Sequence, residues 1–168
     1  SAPPLPNRPL TLEEATERLR AGIDLFETAA DAIAEIAASG STLFEDAHAL
    51  AEGQMDQRDF GYLSVFLIQV WFALVPRGRP APPLRLEAME AAIARDAAGL
   101  GPGGSASMEA MRRMFENSPQ PNLLQVITGG VVGSIDKAPK AARPQPSSVV
   151  GIVLILKAMI GEIDHALR

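Results

Sequence analysis

The sequence predicts an all-α protein, and three observations support this prediction. Hydrophobic residues make up 47% of the chain but aromatic residues only 5%, and an Ala- and Leu-rich composition with few aromatics favours helices over sheets. Apolar residues recur at spacings of three and four, the period of an amphipathic helix. The segment 60–75, FGYLSVFLIQVWFALV, is apolar on nearly every face, so as a helix it must be surrounded by others. We therefore predict a single bundle of about five to six helices around a central helix at 60–75.

The N-terminal part of the chain is predicted as a leader followed by two amphipathic helices. Residues 1–10 hold four prolines, each of which fixes the backbone and removes a hydrogen-bond donor, so we expect an extended leader or linker. Thr11 and Glu14 have the spacing of a capping box, which predicts the start of one long helix over 11–38. A second capping-box spacing predicts a short helix over 42–52.

Proline and glycine divide the rest of the chain into further helices. Pro76 ends the central helix, and the segments beyond it that keep a helical period are 84–100, 107–117, 122–136 and 148–167. Three glycines in 122–136 each lower helix propensity by about 1 kcal/mol, so we expect a helix there only if another backbone packs closely on these glycines. The alternative is a short strand followed by a loop. The last segment is the predicted packing partner of the central helix. It follows a Pro- and Lys-rich loop at 137–148, and 11–168 is predicted to form a single domain.

The charge of the chain disfavours nucleic acid as a partner. The sequence has 15 basic and 20 acidic residues and a net charge of −5. Its acidic first third, 1–58, faces either solvent or a basic partner. Because there is no cysteine, disulfides, thiolate catalysis and Cys-ligated metals are excluded. No apolar run reaches the roughly 18 to 20 residues of a membrane span, so we expect a soluble protein. Cytoplasmic and exported mature forms both stay open.

Both histidines of the chain lie three residues after a glutamate on a predicted helix. The pairs are Glu45 with His48 and Glu162 with His165, and residues three apart share a helix face. This pattern resembles in part the ligand set of ferritin-like di-iron and di-manganese bundles, which use two such motifs and a Glu from each of two other helices. The resemblance implies an Fe or Mn site with Glu35 as a further ligand. The competing interpretation is two surface histidines and no cofactor.

Methionines line one face of the predicted helix at 107–117. The face consists of Met108, Met111, Met114 and Phe115. Methionine is flexible and polarisable, so it occurs on adaptable binding surfaces, but it also fills gaps in cores. The sequence therefore predicts either a partner-binding face or a core-facing stripe.

The motifs of the chain favour a non-catalytic protein, since no nucleophile elbow or phosphate loop is found. We expect a helical protein–protein interaction module, a scaffold or regulator that binds a protein partner or associates with itself as a homo-oligomer. One alternative is the di-metal bundle. The other is a bundle that inserts into membranes under some conditions, because two nearly apolar helices enclosed by amphipathic ones can hide membrane-seeking segments.

Overall fold

The computed structural model describes residues 2–101 and 107–168. Within these ranges the chain forms eight α-helices and no strand, which confirms the all-α prediction. The helices are α1 (Leu12–Ile23), α2 (Ala29–Ala38), α3 (Leu43–Ala51), α4 (Phe60–Leu74), α5 (Leu86–Leu100), α6 (Met108–Glu116), α7 (Pro121–Lys137) and α8 (Pro146–Leu167). The count exceeds the expected five to six, in part because the predicted helix at 11–38 divides in two.

The division of 11–38 has a local and a tertiary cause. The Thr28 hydroxyl accepts a hydrogen bond from the Asp31 backbone N–H, so it caps a new helix. Between the two helices Phe26 packs on Phe72 of α4, with ring centroids 4.8 Å apart. The prediction of one continuous helix is therefore wrong, because the chain turns to place Phe26 against α4.

Two local predictions in the first half of the chain had different outcomes. The capping box at Thr11 and Glu14 is present with both of its hydrogen bonds. The box predicted at the start of α3 is absent: the Thr42 hydroxyl donates to Asp46 Oδ2 instead, at 2.7 Å. Spacing alone does not decide whether a threonine hydroxyl accepts from the backbone N–H three residues later or donates to a nearby carboxylate.

The core lies around α4 and α8, as predicted. Nine of the 15 residues of α4 and 13 of the 22 residues of α8 are buried, and no other described helix has as many. The two helices pack against each other, and in addition α4 packs on α1 and α8 packs on α5. Each apolar helix thus has amphipathic neighbours that cover its remaining faces.

The segment 122–136 is helical and forms most of α7, which removes the strand alternative. Its glycines were expected to permit a close backbone approach. A Cβ at Gly129 or Gly133 would meet open space, and one at Gly130 would make ordinary contact with the Phe66 ring at 3.6 Å. That expectation is wrong, because α7 meets its neighbours through larger residues, among them Leu124, Ile127 and Val131.

α8 is the one described helix with the length and apolarity of a membrane span. Over its best 18 residues the mean hydropathy is 1.7, and 67% of that window is buried. The sequence expectation that no segment reaches this length is therefore wrong, since a few polar residues interrupt the apolar run without lowering its mean hydropathy enough. A mostly buried helix of this kind is also typical of a soluble core.

The end of the proline-rich leader is docked on the bundle. Leu10 is fully buried, and its N–H donates to Gln120 Oε1 at 2.8 Å. Asn122 Nδ2 donates to the Leu10 carbonyl, and Gln120 Nε2 donates to Asp164 Oδ1 at 2.9 Å. This buried polar network joins the leader, α7 and the C-terminal half of α8.

The loop between α3 and α4 touches the start of α8 closely. A Cβ at Gly151 would lie 2.7 Å from the Gln54 carbonyl oxygen, a distance that real Cβ atoms essentially never show. The Asp56 N–H donates to Ser148 Oγ, and the Gln145 N–H donates to Asp59 Oδ2, both at 3.2 Å. Gly151 is therefore the position where only a glycine lets the loop approach α8.

Candidate functional site

Two of the predicted metal ligands are held by arginines. Glu35 accepts from Arg77 Nε at 2.9 Å and from Arg77 Nη2 at 2.6 Å. Glu162 is buried and accepts both the backbone N–H and the Nε–H of Arg85, at 2.9 and 2.7 Å. Burial raises the pKa of the Glu162 carboxyl, but the hydrogen bonds and charge of Arg85, with a smaller effect of His165, outweigh it and lower the pKa.

The other three predicted ligands lie on the surface. Glu45, His48 and His165 are exposed, and the His48 ring stacks on Phe60 with centroids 3.9 Å apart. In the part of the chain that the structure describes, no three metal-ligating side chains are placed to hold one ion. The structure therefore does not bring the predicted set together, and the Fe or Mn site has no support from these residues.

The predicted methionine face divides into an outer and an inner part. Met108 is 87% exposed, whereas Met114 is buried in the core. Met111 and Phe115 are half-buried and pack against the core from outside. The face is therefore neither wholly a core stripe nor wholly a surface, but runs from solvent into the bundle.

Met111 and Met114 open onto a cavity of about 410 Å³ between α5, α6, α7 and α8, which we call the apolar pocket. The residues that line it are Gln54, Ala97, Leu100, Gly101, Met111, Met114, Thr128, Val132, Ser147, Val149, Val150, Gly151, Val153 and Leu154. Its volume lies within the roughly 300 to 1,000 Å³ of ligand pockets, and its lining is mostly apolar, as in such pockets. None of these residues is titratable.

One polar group in the apolar pocket has no hydrogen-bond partner within 2–101 and 107–168. The Thr128 hydroxyl of α7 is buried and has no hydrogen-bond partner among the described residues. Thr16, by contrast, donates its hydroxyl to the Leu12 carbonyl one turn earlier, at 2.8 Å. A buried hydroxyl without a partner costs about 1 to 3 kcal/mol, so Thr128 is where an occupant of the pocket would gain a hydrogen bond.

A second cavity adjoins the apolar pocket, and we call it the basic basin. Its polar lining consists of Arg95 and Asp96 of α5, Arg113 of α6, Asn117, and Lys157 of α8. Leu100 and Met114 line both cavities and form the wall between them. The Lys157 ammonium donates to both oxygens of Asp96, at 2.7 and 2.8 Å, and this ion pair is nearly buried.

A cavity larger than both of these lies elsewhere and has fewer charged groups that could bind a ligand. It has a volume of about 620 Å³ and lies between the leader, the proline-rich segment after α4 and the end of α8. Its charged lining residues are Arg79 and Arg168, and Arg168 is already bonded to Asp164 Oδ2 at 3.0 Å. Size alone does not make this groove the better candidate, because its walls are proline loops rather than convergent helices.

Sequence reasoning missed most of the residues around the apolar pocket. Arg112 and Arg113 are neighbours in sequence, yet Arg112 bonds Glu109 and Glu116 while Arg113 lines the basic basin. Val132 and Thr128 share a face of α7 because they are four residues apart. That spacing is visible in the sequence, but the helices that meet this face are not.

Comparisons with protein-family models, curated protein sequences and solved structures found no match to this chain. No residue role is therefore taken from a relative.

Proposed function

We propose that this protein is a non-catalytic helical module that binds a partner protein by taking apolar side chains of a partner helix into the apolar pocket. The observation that carries the proposal is an open, mostly apolar cavity whose lining includes Val132, an apolar side chain exposed to solvent. Grooves of this kind accept the apolar face of an amphipathic helix.

The exposed rim favours a macromolecular partner over a small ligand. Val132 lines the apolar pocket and is 47% exposed, and Met108, which is 87% exposed, lies one turn of α6 before Met111. A small molecule inside the cavity would leave these side chains in water. A helix laid across the opening would cover them, and removal of apolar surface from water is favourable by about 25 cal/mol per Å².

The lining of the apolar pocket favours binding over catalysis. Its polar side chains are Gln54, Thr128 and Ser147, and they supply neither an acid–base pair nor an activated nucleophile. Methionine at the opening suits a surface that adapts to side chains of different shape. The metal alternative gains no support from the described residues, and membrane insertion stays a prediction of the sequence.

The test is selection of binders from a displayed library of amphipathic helices whose apolar face is randomised among Leu, Ile, Met, Phe and Val. We expect clones that bind the wild-type protein and lose roughly tenfold or more in affinity for Val132→Asp, as for a truncated interface anchor. Val65→Asp is the matched control, because Val65 on α4 is 46% exposed and does not line the pocket.

Four outcomes decide the proposal. Clones that lose affinity for Val132→Asp but not for Val65→Asp support it. An absence of binding clones, or equal binding to both variants, overturns it. If the wild type sediments as a dimer and Val132→Asp as a monomer, the partner that occupies the pocket is a second copy of this chain and not a foreign helix.

A further inference from the structure

We infer that the partner helix carries a carboxylate beside its apolar anchors, and that Arg95 and Arg113 of the basic basin bind it. This inference rests on the proposed function and names the class of partner that the same site selects. It is carried by the adjacency of the two cavities and by the charges that line the second one.

The two cavities are close enough for one helix to use both. Leu100 of α5 and Met114 of α6 line the apolar pocket on one side and the basic basin on the other. Side chains three or four residues apart on a helix lie about 5 to 6 Å apart at Cβ. A helix with an anchor in the apolar pocket therefore carries a neighbouring side chain over the basic basin.

The basic basin holds two positive charges that its own residues do not neutralise. Lys157 and Asp96 form an ion pair with each other. Arg95 and Arg113 also line the basin, and neither makes a salt bridge or side-chain hydrogen bond within 2–101 and 107–168. The lining contains no acid besides Asp96. Since the whole chain has a net charge of −5, this local excess of positive charge is opposite in sign to the protein as a whole.

The neighbouring acids do not cancel this excess. Glu109 and Glu116, the two acids of α6, are both bonded to Arg112, at 2.5 and 2.7 Å, and neither lines the basic basin. Arg112 and Arg113 are therefore adjacent in sequence but differ in whether their charge is paired with an acid. One is neutralised on its own helix, and the other is directed toward a cavity that a partner can enter.

A carboxylate fits the basin better than a nucleic acid phosphate does. Two arginines are few compared with the 6 to 10 phosphate contacts typical of nucleic-acid binding, and the net charge of the chain repels a polyanion. The guanidinium group binds a carboxylate through two parallel hydrogen bonds. Because both arginines are exposed, their charge governs association rate and partner choice more than total affinity.

The experiment uses the displayed helix library with the positions flanking the apolar face randomised among Glu, Gln and Lys. For the wild-type protein we expect Glu to be enriched over Lys several-fold, and the enrichment to fall as salt is raised. For the Arg95→Glu/Arg113→Glu double variant we expect the preference to reverse to Lys. Arg20→Glu/Arg79→Glu is the control, because it changes net charge equally at exposed arginines that do not line the basin.

The outcomes separate this inference from the proposed function. If Glu, Gln and Lys clones bind the wild type equally while Val132→Asp still abolishes binding, the inference is overturned and the proposed function stands. If the control double variant reverses the preference as strongly as the test variant, the effect belongs to net charge, and the inference is again overturned. If no helix binds the wild type, both fail.

Discussion

The two halves of α8 are both largely buried, but they differ in what surrounds them. The C-terminal half places Glu162 against Arg85 and places Asp164 against Gln120 and Arg168, so each buried carboxylate has partners. The N-terminal half, from Ser147 to Leu154, lines the apolar pocket. One half is closed by polar clamps and the other borders the apolar pocket, so under the proposed function the two halves of α8 would serve stability and binding separately.

The two halves of α8 also differ in how tightly their single glycines are packed, and substitution of these glycines has the largest expected effect. We expect Gly151→Ala to destabilise the fold by about 1 to 3 kcal/mol, since the new Cβ would overlap the Gln54 carbonyl oxygen and the α3–α4 loop would have to shift. At Gly161 the nearest atom to a new Cβ is Pro119 Cδ at 4.0 Å. Gly161→Ala should therefore stabilise by about 0.5 to 1 kcal/mol through helix propensity.

Urea denaturation of the two alanine variants measures this difference directly. The contrast would be refuted if both variants shifted the unfolding midpoint in the same direction. Gly151→Ala that folds with wild-type stability would show that the α3–α4 loop is not held against α8.

The Glu162 clamp predicts loss of stability in acid. Because the folded-state pKa of Glu162 lies below its ordinary value, its contribution is present above the unfolded-state pKa and is lost as pH falls through the folded-state pKa. We expect Glu162→Gln to cost about 1 to 2 kcal/mol at neutral pH and to cost progressively less as the pH is lowered into that range. Thermal unfolding from pH 7 to pH 3 measures both effects.

Glu14 is the control for a second property of the Glu162 clamp, its dependence on salt. The side-chain hydrogen bond from Arg8 and that from the Thr11 N–H lower the pKa of Glu14 to about 2, although Glu14 lies in an exposed pair. Salt screens an exposed pair far more than a buried one. Only the carboxylate of the Glu162–Arg85 pair is buried, since Arg85 is exposed. We therefore expect added salt to reduce the effect of Glu14→Gln more than that of Glu162→Gln; equal screening of both would contradict the clamp.

Thr128→Val tests the apolar pocket beside the N-terminal half of α8, and we expect a small effect. Valine keeps the β-branched shape and removes the hydroxyl that has no partner among the described residues. We expect a gain of about 1 kcal/mol in stability, measured as a higher unfolding temperature. Thr16→Val, which removes a bonded hydroxyl, should give no gain. Equal shifts at the two threonines would show that the Thr128 hydroxyl is already satisfied.

The parts of the fold that were predictable are those that depend on neighbours in sequence. The capping box at Thr11 and the apolar character of α4 and α8 were visible in the sequence, and the structure confirms them. The break before Thr28 was missed, because a threonine within an apolar period is compatible with a continuous helix. In the structure Thr28 caps α2, because the chain turns before it where Phe26 packs on Phe72 of α4.

The candidate site was less predictable, because its residues come from four helices. The Glu-x-x-His spacing was real, but Arg85 binds Glu162 and the Phe60 ring stacks on His48. The methionine face was also real, and only its end at Met111 and Met114 borders a pocket. Arg95 and Arg113 had no sequence signal that linked them.

The sequence by itself determined the all-α class, most of the helical segments and which helix faces avoid water, because a period of 3.6 residues and the capping of helix ends are local properties. The tertiary structure decided which faces meet, where they leave the apolar pocket, and which charges are neutralised beside it. The physical reason is that burial and electrostatic pairing depend on distances between residues that are far apart in the chain. Helical periodicity depends only on neighbours in sequence, so it does not predict those distances.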